Sequence, residues 1–272
     1  MVRAITLLLL ISLHSIQAFA DNTVIVQTKG SGSSITVQQV GSGNVTGVYC
    51  GLGSFDSSLV NTHNCDNATI SVSVDGSSNI AYAQSVWSNH DSQVWSITVD
   101  GDDNYAVIDM DQDDNTSTII QNGNDNDALI LGSGNNNVYK IEQTGNDMYA
   151  KFQTFADNSD IWSTQEGTGN HNVFVYNANQ ADNNSTRVIQ KGSGNKDADI
   201  FWYNDADNSR VVLTQQGNGS HTANMKFYTD DYNVNVIQKG VNNQAYSVTF
   251  SCVSNCTKTI SITQESVSYT HL

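Results

Sequence analysis

Between residues 24 and 266, apolar side chains recur two positions apart in short runs that end in Gln or in Val. Val37, Val72, Ile97, Ile119, Ile141, Val188, Leu213, Val236 and Ile262 each stand two residues before that end, and only Ser163 departs. Two residues earlier come Ile35, Ile70, Trp95, Tyr139, Ile161, Val211, Val234 and Ile260. A period of two places these side chains and the Gln on one face of a β-strand. A turn of the form Gly-x-x-Asn follows, as in Gly76 to Asn79, Gly101 to Asn104 and Gly123 to Asn126. Gly and Asn tolerate the left-handed backbone that tight turns need. A second strand opens near Ala81, Ala106, Ala128, Ala150, Ala198, Ala223 or Ala245. It closes at a second turn: Asp114-Asn115, Asp157-Asn158, Asp182-Asn183 or Asp207-Asn208.

The pattern is a repeat. Gln-x-Gly recurs at Gln121–Gly123, Gln143–Gly145, Gln165–Gly167, Gln190–Gly192, Gln215–Gly217 and Gln238–Gly240, at spacings of 22, 22, 25, 25 and 23 residues. Gln264 follows 26 residues later, and Val99-Asp100-Gly101 and Val74-Asp75-Gly76 keep the register upstream. Gln39-Val40-Gly41 and Thr28-Lys29-Gly30 are weaker copies near the start. A unit of strand, turn, strand, turn is too short to enclose a core, so neighbouring units must stack. The expected fold is all-β: a β-solenoid with two strands per coil and about ten stacked coils, roughly 48 Å long at about 4.8 Å per coil. Inward Gln side chains are costly unless each bonds the next, so they are expected to form an amide ladder. Asp114, Asp157, Asp182 and Asp207 are expected to stack in a column at the second turn.

Composition narrows the function classes. The 272 residues include no proline, carry a formal net charge of −16, and are only 14% charged. Scarcity of helix formers argues against a helical bundle or an α/β enzyme. Such acidity makes unaided binding to nucleic acid or to an anionic membrane an unpromising role, because phosphate contacts need Lys and Arg.

The two ends stand apart. Residues 1–20 read as a secretory signal peptide: Arg3, then the apolar run Ala4 to Leu13, then Ala18-Phe19-Ala20 as a small-x-small cleavage site. Ten apolar residues are too few for a bilayer, which needs about 20, and no later stretch is longer, so no membrane span is expected. The last six residues, Val267 to Leu272, resemble one frame of a sequencing adapter and are expected to be foreign to the fold. The repeat domain is therefore 21–266.

Ser209-Arg210-Val211-Val212-Leu213-Thr214-Gln215-Gln216-Gly217 and Ser159 through Gly167 match the Ser-x5-Gln-x-Gly opening of curlin repeats. Asn126-Asp127-Ala128, Asn104-Tyr105-Ala106 and Asn243-Gln244-Ala245 match its Asn-x-Ala continuation. Over residues 24 to 266 the chain thus resembles the curlin-repeat proteins, subunits of the functional amyloid fibres called curli. That resemblance implies a secreted, cell-surface fibre subunit acting in adhesion and biofilm matrix. Its partners would be copies of itself, a curli-like nucleator and an outer-membrane secretion pore. The family's second Gln, four residues after the Ala, is replaced here by Met110, Gly132, Thr154, Trp202, Phe227 and Thr249.

Other candidate chemistry is thin. Cys50 and Cys65 bracket a Ser/Asn-rich insertion around 42–69, and Cys252 and Cys256 sit at the last complete turn, all four outside the coils. An even number of cysteines in an exported chain favours disulfides, with Cys50–Cys65 and Cys252–Cys256 the expected choice among three connectivities. No His has ligand spacing to these thiols for zinc. His63, His90, His171 and His221 read as isolated, with neither an HExxH pair nor a nucleophile elbow, so no catalytic residue is assigned and no enzyme is expected. Gly-Ser-Gly-Asn at 41, 132 and 192 lacks the helix and GK[ST] ending of a phosphate loop. Asp100, Asp102, Asp103 and Asp109, Asp111, Asp113, Asp114 supply oxygens of the kind Ca²⁺ takes, but the EF-hand and RTX patterns are absent. They read as a solvated acidic edge, no cofactor is assigned, and Ca²⁺ is the minor alternative. A monomeric β-solenoid adhesin, or a phage-type or ice-binding ligand-binding protein, is the alternative to a fibre subunit.

Overall fold

The computed structural model describes residues 22–28, 32–50, 67–85, 92–111, 113–178, 183–203, 208–228, 231–241, 246–252 and 258–267. Among them every regular element is a β-strand. Sheet A is built from β1 (Val24–Thr28), β3 (Thr46–Cys50), β5 (Ala81–Ser85), β7 (Ala106–Met110), β9 (Asp127–Ser133), β11 (Tyr149–Phe155), β13 (His171–Asn177), β15 (Lys196–Trp202), β17 (His221–Phe227) and β19 (Tyr246–Cys252). Sheet B is built from β2 (Ser34–Gln38), β4 (Thr69–Ser73), β6 (Val94–Thr98), β8 (Thr116–Ile120), β10 (Val138–Gln143), β12 (Asp160–Thr168), β14 (Ser185–Ser193), β16 (Ser209–Gly217), β18 (Tyr232–Val241) and β20 (Lys258–Val267). Each sheet is ten-stranded and each strand pairs in parallel with the strand two along the chain, so the chain winds alternately through the sheets as a β-solenoid.

The two sheets bury their facing sides against each other. Alternation within each strand sends Ile119, Ile141, Ile161 and Leu213 inward from sheet B and Ala106, Ile130, Phe152 and Val175 inward from sheet A. Register repeats side-chain type from coil to coil: Ile97 lies beside Ile119, Ile119 beside Ile141, and Val188 beside Leu213. Each such column is a continuous apolar ridge that no single coil could bury alone. Trp202, Phe227 and Tyr232 fill the broad later coils, with ring centroids 5.2 and 4.4 Å apart.

Two coil designs coexist. In the earlier coils the residue after the turn glycine takes positive φ: Ser42, Ser77, Asp102, Asn124 and Asn146, at 79–100°. In the later coils β12, β14 and β16 run through the Gln-x-Gly, and glycine itself takes the left-handed turn at Gly167, Gly192 and Gly217, φ 115–116°. There the backbones of adjacent turns touch: a Cβ on Gly192 would lie 1.9 Å from the Gly167 carbonyl oxygen.

Several expectations need correction. Cys50 is the last residue of β3, buried and paired in register with Ser85, and Cys252 is the last residue of β19, so neither lies outside the coils. The insertion around 42–69 is narrower than expected, because β3 and the start of β4 belong to the ladders. Ala245 lies outside the described residues, and Val248 rather than Ala245 takes the rung after Ala223. Cys252, not Thr249, continues the column of Trp202 and Phe227, because a longer connection displaces the last coil by three residues. Strand β20 reaches Val267, one residue into the segment expected to be foreign. Residues 1–20 and 268–272 lie outside the described residues.

Candidate functional site

The amide ladder is the most ordered polar feature of the interior. Gln143, Gln165, Gln190, Gln215, Gln238 and Gln264 are consecutive rungs of sheet B, and Gln143 through Gln238 are buried. Gln190 Nε2 donates to Gln165 Oε1 at 3.0 Å, Gln215 to Gln190 at 2.9 Å, Gln238 to Gln215 at 2.7 Å and Gln264 to Gln238 at 2.7 Å. The same amides clamp the opposite wall: Gln165 Nε2 reaches Asn172 O, Gln190 reaches His171 O and Asp197 O, and Gln215 reaches Thr222 O. Gln190, Gln215 and Gln238 therefore lock their turns to sheet A as well as to the coil before. Between the two coil designs the ladder changes sense. Gln121 Nε2 donates forward to Gln143 Oε1 at 2.8 Å, and Gln143 Nε2 is buried with no hydrogen-bond partner among the described residues.

A second ladder lies across the same turn. Asn79 Nδ2 donates to Asn44 Oδ1 at 2.8 Å, Asn104 to Asn79 at 2.6 Å and Asn126 to Asn104 at 2.5 Å. Beyond Asn126 the column changes chemistry to Met148, His171, Lys196 and His221, all fully buried. His171 and His221 are thus not isolated, as the sequence reading had them: they flank Lys196 on consecutive rungs. Lys196 Nζ donates to the carbonyl oxygens of Gly192 (2.9 Å), Gly194 (2.8 Å) and Asn218 (2.8 Å). Two of the three carbonyls belong to glycines of its own turn and the third to Asn218 of the next coil. Burial lowers the Lys196 ammonium to about 8, and burial followed by the Lys196 charge lowers both imidazoles to about 4. No spacing rule marks this column; the signal in the sequence was a titratable residue two positions before Val173, Ala198 and Ala223.

The acidic candidates separate. Asp100, Asp102 and Asp103 lie at the turn after sheet B, whereas Asp111, Asp113 and Asp114 lie at the turn after sheet A. Their carboxylates are used by neighbouring coils: Asp102 Oδ1 accepts from Ser77 N at 2.9 Å, Asp111 Oδ1 from Ser133 Oγ at 2.8 Å, and Asp113 Oδ1 from Asn135 N at 2.5 Å. Among the described residues no three His, Cys, Asp or Glu side chains gather as a metal would need. The expected column through Asp114 and Asp157 is wrong by one residue. Register from Thr116, Val138 and Asp160 puts Asp114 with Asn136 and Asn158, and puts Asp157 with Asp113 and Asn135. Asp182 and Asp207 lie outside the described residues. A true acidic column stands instead at the first turn, where Asp103, Asp125 and Asp147 each follow the turn glycine by two residues.

Cys50 is disulfide-bonded. Cys65 and Cys256 lie outside the described residues, as do His63 and His90. No helix among the described residues is long and apolar enough to cross a membrane.

The two end coils complete the site. Among the described residues β1, β2, β19 and β20 each pair with a strand on one side. Ile262 continues the buried column of Leu213 and Val236 yet is 46% exposed. Comparison of the chain with family models, with curated proteins and with solved structures finds no match.

Proposed function

We propose that this chain is a secreted, non-enzymatic structural subunit that assembles end to end into an extracellular fibre of the curli type, serving adhesion and matrix. The observation that carries the reading is that the inward row Ile260, Ile262 and Gln264 of β20 repeats the row Ile35, Val37 and Gln39 of the first coil. A second copy placed on it would continue both sheets, cover Ile262 and add a rung to the amide ladder. Hydrogen bonds along every rung supply affinity, and the Gln column penalises a slip in register, since a shifted amide would be buried against an apolar row. A nucleator would act by presenting one such row in advance. Export, the secretion pore and the nucleator rest on the curlin resemblance.

The test is electron microscopy with thioflavin fluorescence on purified protein, beside a variant with Ile262→Lys and Gln264→Lys. Fibres from the parent chain and none from the folded variant are expected. Fibres of equal yield from both would remove the end coil from the mechanism. A second reading, a monomeric solenoid that binds a ligand along one flat face, is favoured by the outer side of β4, β6 and β8. Thr69, Ser71, Ser73, Ser96, Thr98, Thr116 and Thr118 lie there, with Val94 and Ile120 in the same columns and the first charge, Lys140, on the rung beyond Thr118. Sedimentation as a stable monomer under conditions that fold the chain would favour it.

A further inference from the structure

The outer sides of the two sheets differ. Sheet B shows hydroxyls in its early coils and charges in its later ones. Sheet A shows an apolar band along its length, with Tyr82, Val107, Leu129, Leu131, Phe174 and Phe201 outward and half-buried. Its later coils add rings in contact: Phe174 with Phe201 at 5.6 Å, Tyr176 with Tyr203 at 5.1 Å, and Tyr203 with Tyr228 at 4.6 Å. Contiguous apolar surface on an otherwise polar, acidic chain marks an interaction face.

Charge on this band is polarised along the solenoid axis. Asp109 lies in β7, near the early end, in the outward column that runs on through Leu131, Gln153, Tyr176 and Phe201 to Lys226 in β17. Lys226 and Asp109 are five rungs apart, with Gln153 and Tyr176 midway. In the neighbouring outward column Lys151 precedes Asp199 by two rungs. Lys226 Nζ stands over the Tyr228 ring at 4.6 Å and Lys151 Nζ over the Phe174 ring at 5.8 Å, so both cations sit on the band rather than beside it. Among the described residues, Asp109 has the hydrogen bond of Gln84 Nε2 at 3.0 Å, and no ion pair with it is formed. Burial and the adjacent Asp111 raise its carboxyl to about 6, opposed by that Gln84 bond. It is a carboxylate short of a cation.

We infer that the outer face of sheet A is a docking surface for a second copy of this chain, related by a two-fold axis lying along the strand direction. Such an axis reverses the solenoid while leaving each outward column facing itself. Setting Lys226 opposite Asp109 of the second copy places Phe201 against Leu131 and Tyr176 against Gln153. It also brings Lys151 within one rung of Asp199. Both ion pairs and the apolar contacts then form twice, as a closed isologous interface requires. The exposed Asp127 and Asp197 face each other at the rim as like charges that solvent and salt screen. The area is sufficient: seven rungs at about 4.8 Å and strands about 20 Å wide give roughly 600–700 Å² per copy. The total of about 1,300 Å² falls within the range of stable interfaces. This side-by-side pairing leaves the end coils untouched, so it stands whether or not the chain also grows end to end.

Sedimentation velocity of freshly purified, soluble protein tests it. The parent chain is expected to form a dimer that does not grow further, whereas end-to-end association gives a continuing series of masses. Lys226→Asp and Asp109→Lys are each expected to weaken the dimer at least tenfold, and the double variant, which restores opposite charges across the axis, to recover most of it. Should Asp109→Lys fail to fold, Leu131→Arg, opposite Phe201, serves in its place. A parent chain that stays monomeric up to about 100 μM, or a dimer indifferent to Lys226→Asp, would overturn the inference.

Discussion

His171 and Lys196 occupy the same position in successive coils, paired across sheet A and both fully buried, with His221 on the rung beyond. Three groups that can each carry a positive charge are stacked in the interior about 5 Å apart. The middle one has its charge bonded by three backbone carbonyls.

The pH response follows from that column. Both imidazoles are held near 4, first by burial and then by the Lys196 ammonium, while in the unfolded chain they titrate near 6.5. The unfolded state therefore binds protons more tightly between those values, so stability is full above about 6.5 and falls as the pH drops toward 4. Lys196, lowered to about 8 by burial, adds a rise in stability from about 8 toward 10.5. Urea midpoints measured from pH 7.5 to 4.5 should decline for the parent chain and much less for His171→Asn with His221→Asn. A double variant declining as steeply as its parent would place the acid sensitivity elsewhere.

The glycine turns make a sharper demand. At Gly192 the backbone is left-handed at φ 115°, and a Cβ would collide with the Gly167 carbonyl oxygen at 1.9 Å and with its carbonyl carbon at 2.8 Å. Backbone is the obstacle, so no rotamer change relieves it. Gly192→Ala is expected to cost at least about 2 kcal/mol, through lost contact between the turns. Gly41, with open space around it, should accept Ala with little effect. Thermal unfolding of the two variants side by side checks the contrast.

Replacing a ladder rung is expected to act in proportion to the bonds it makes. Gln190 Nε2 serves Gln165 Oε1, His171 O and Asp197 O, and Gln190 Oε1 accepts from Gln215. Gln190→Leu strands those partners in the interior, at about 1–3 kcal/mol for a buried group left unsatisfied. Lys191, outward on the next position and bonded to Glu166 in a surface ion pair at 3.1 Å, should cost less than about 1 kcal/mol as Lys191→Ala. Fibre growth should slow for Gln190→Leu and for Gln215→Leu and change little for Lys191→Ala and Gln216→Ala. Equal rates across all four would show that the ladder is not formed in the growing species.

How far the sequence could be read depended on which positions repeat. The Gln column was legible because a buried amide must be matched coil after coil, so chemistry and spacing recur together. The second strand was less so: its marker is a small residue, and small residues are common in this chain. Val248 displaced Ala245 for that reason, and the error carried Thr249 into a column that belongs to Cys252. The Asp-Asn turns misled by one residue, since Asp and Asn both suit the left-handed position and only hydrogen-bonded register separates Asp113 from Asp114. Lys196 was illegible. A lysine reads as surface unless a carbonyl cage is seen around it, and that cage comes from glycines 2 and 4 residues earlier and from the next coil.

Asp103, Asp125 and Asp147 bring the last prediction. Successive carboxylates in this exposed column stand about one rung apart, where like charges repel by about 1 kcal/mol per neighbouring pair in water. The repulsion exists in the wound coil and is largely absent in the extended chain. Salt should therefore favour winding, and with it the formation of assembly-competent subunits. At the opposite turn Asn135 separates Asp113 from Asp157, so the same effect is weaker there. Lag time of fibre growth should shorten from low salt to high NaCl, and Asp125→Asn, which breaks the column at its centre, should shorten the low-salt lag and reduce the salt dependence. Millimolar Ca²⁺ should act no more strongly than NaCl of matched ionic strength, because the carboxylates of Asp102, Asp111 and Asp113 are already bonded to neighbouring coils. A lag time equal at all salt concentrations would show that the column is not felt during assembly. Calcium acting far beyond the matched control would instead mean that these turns rearrange to take the ion.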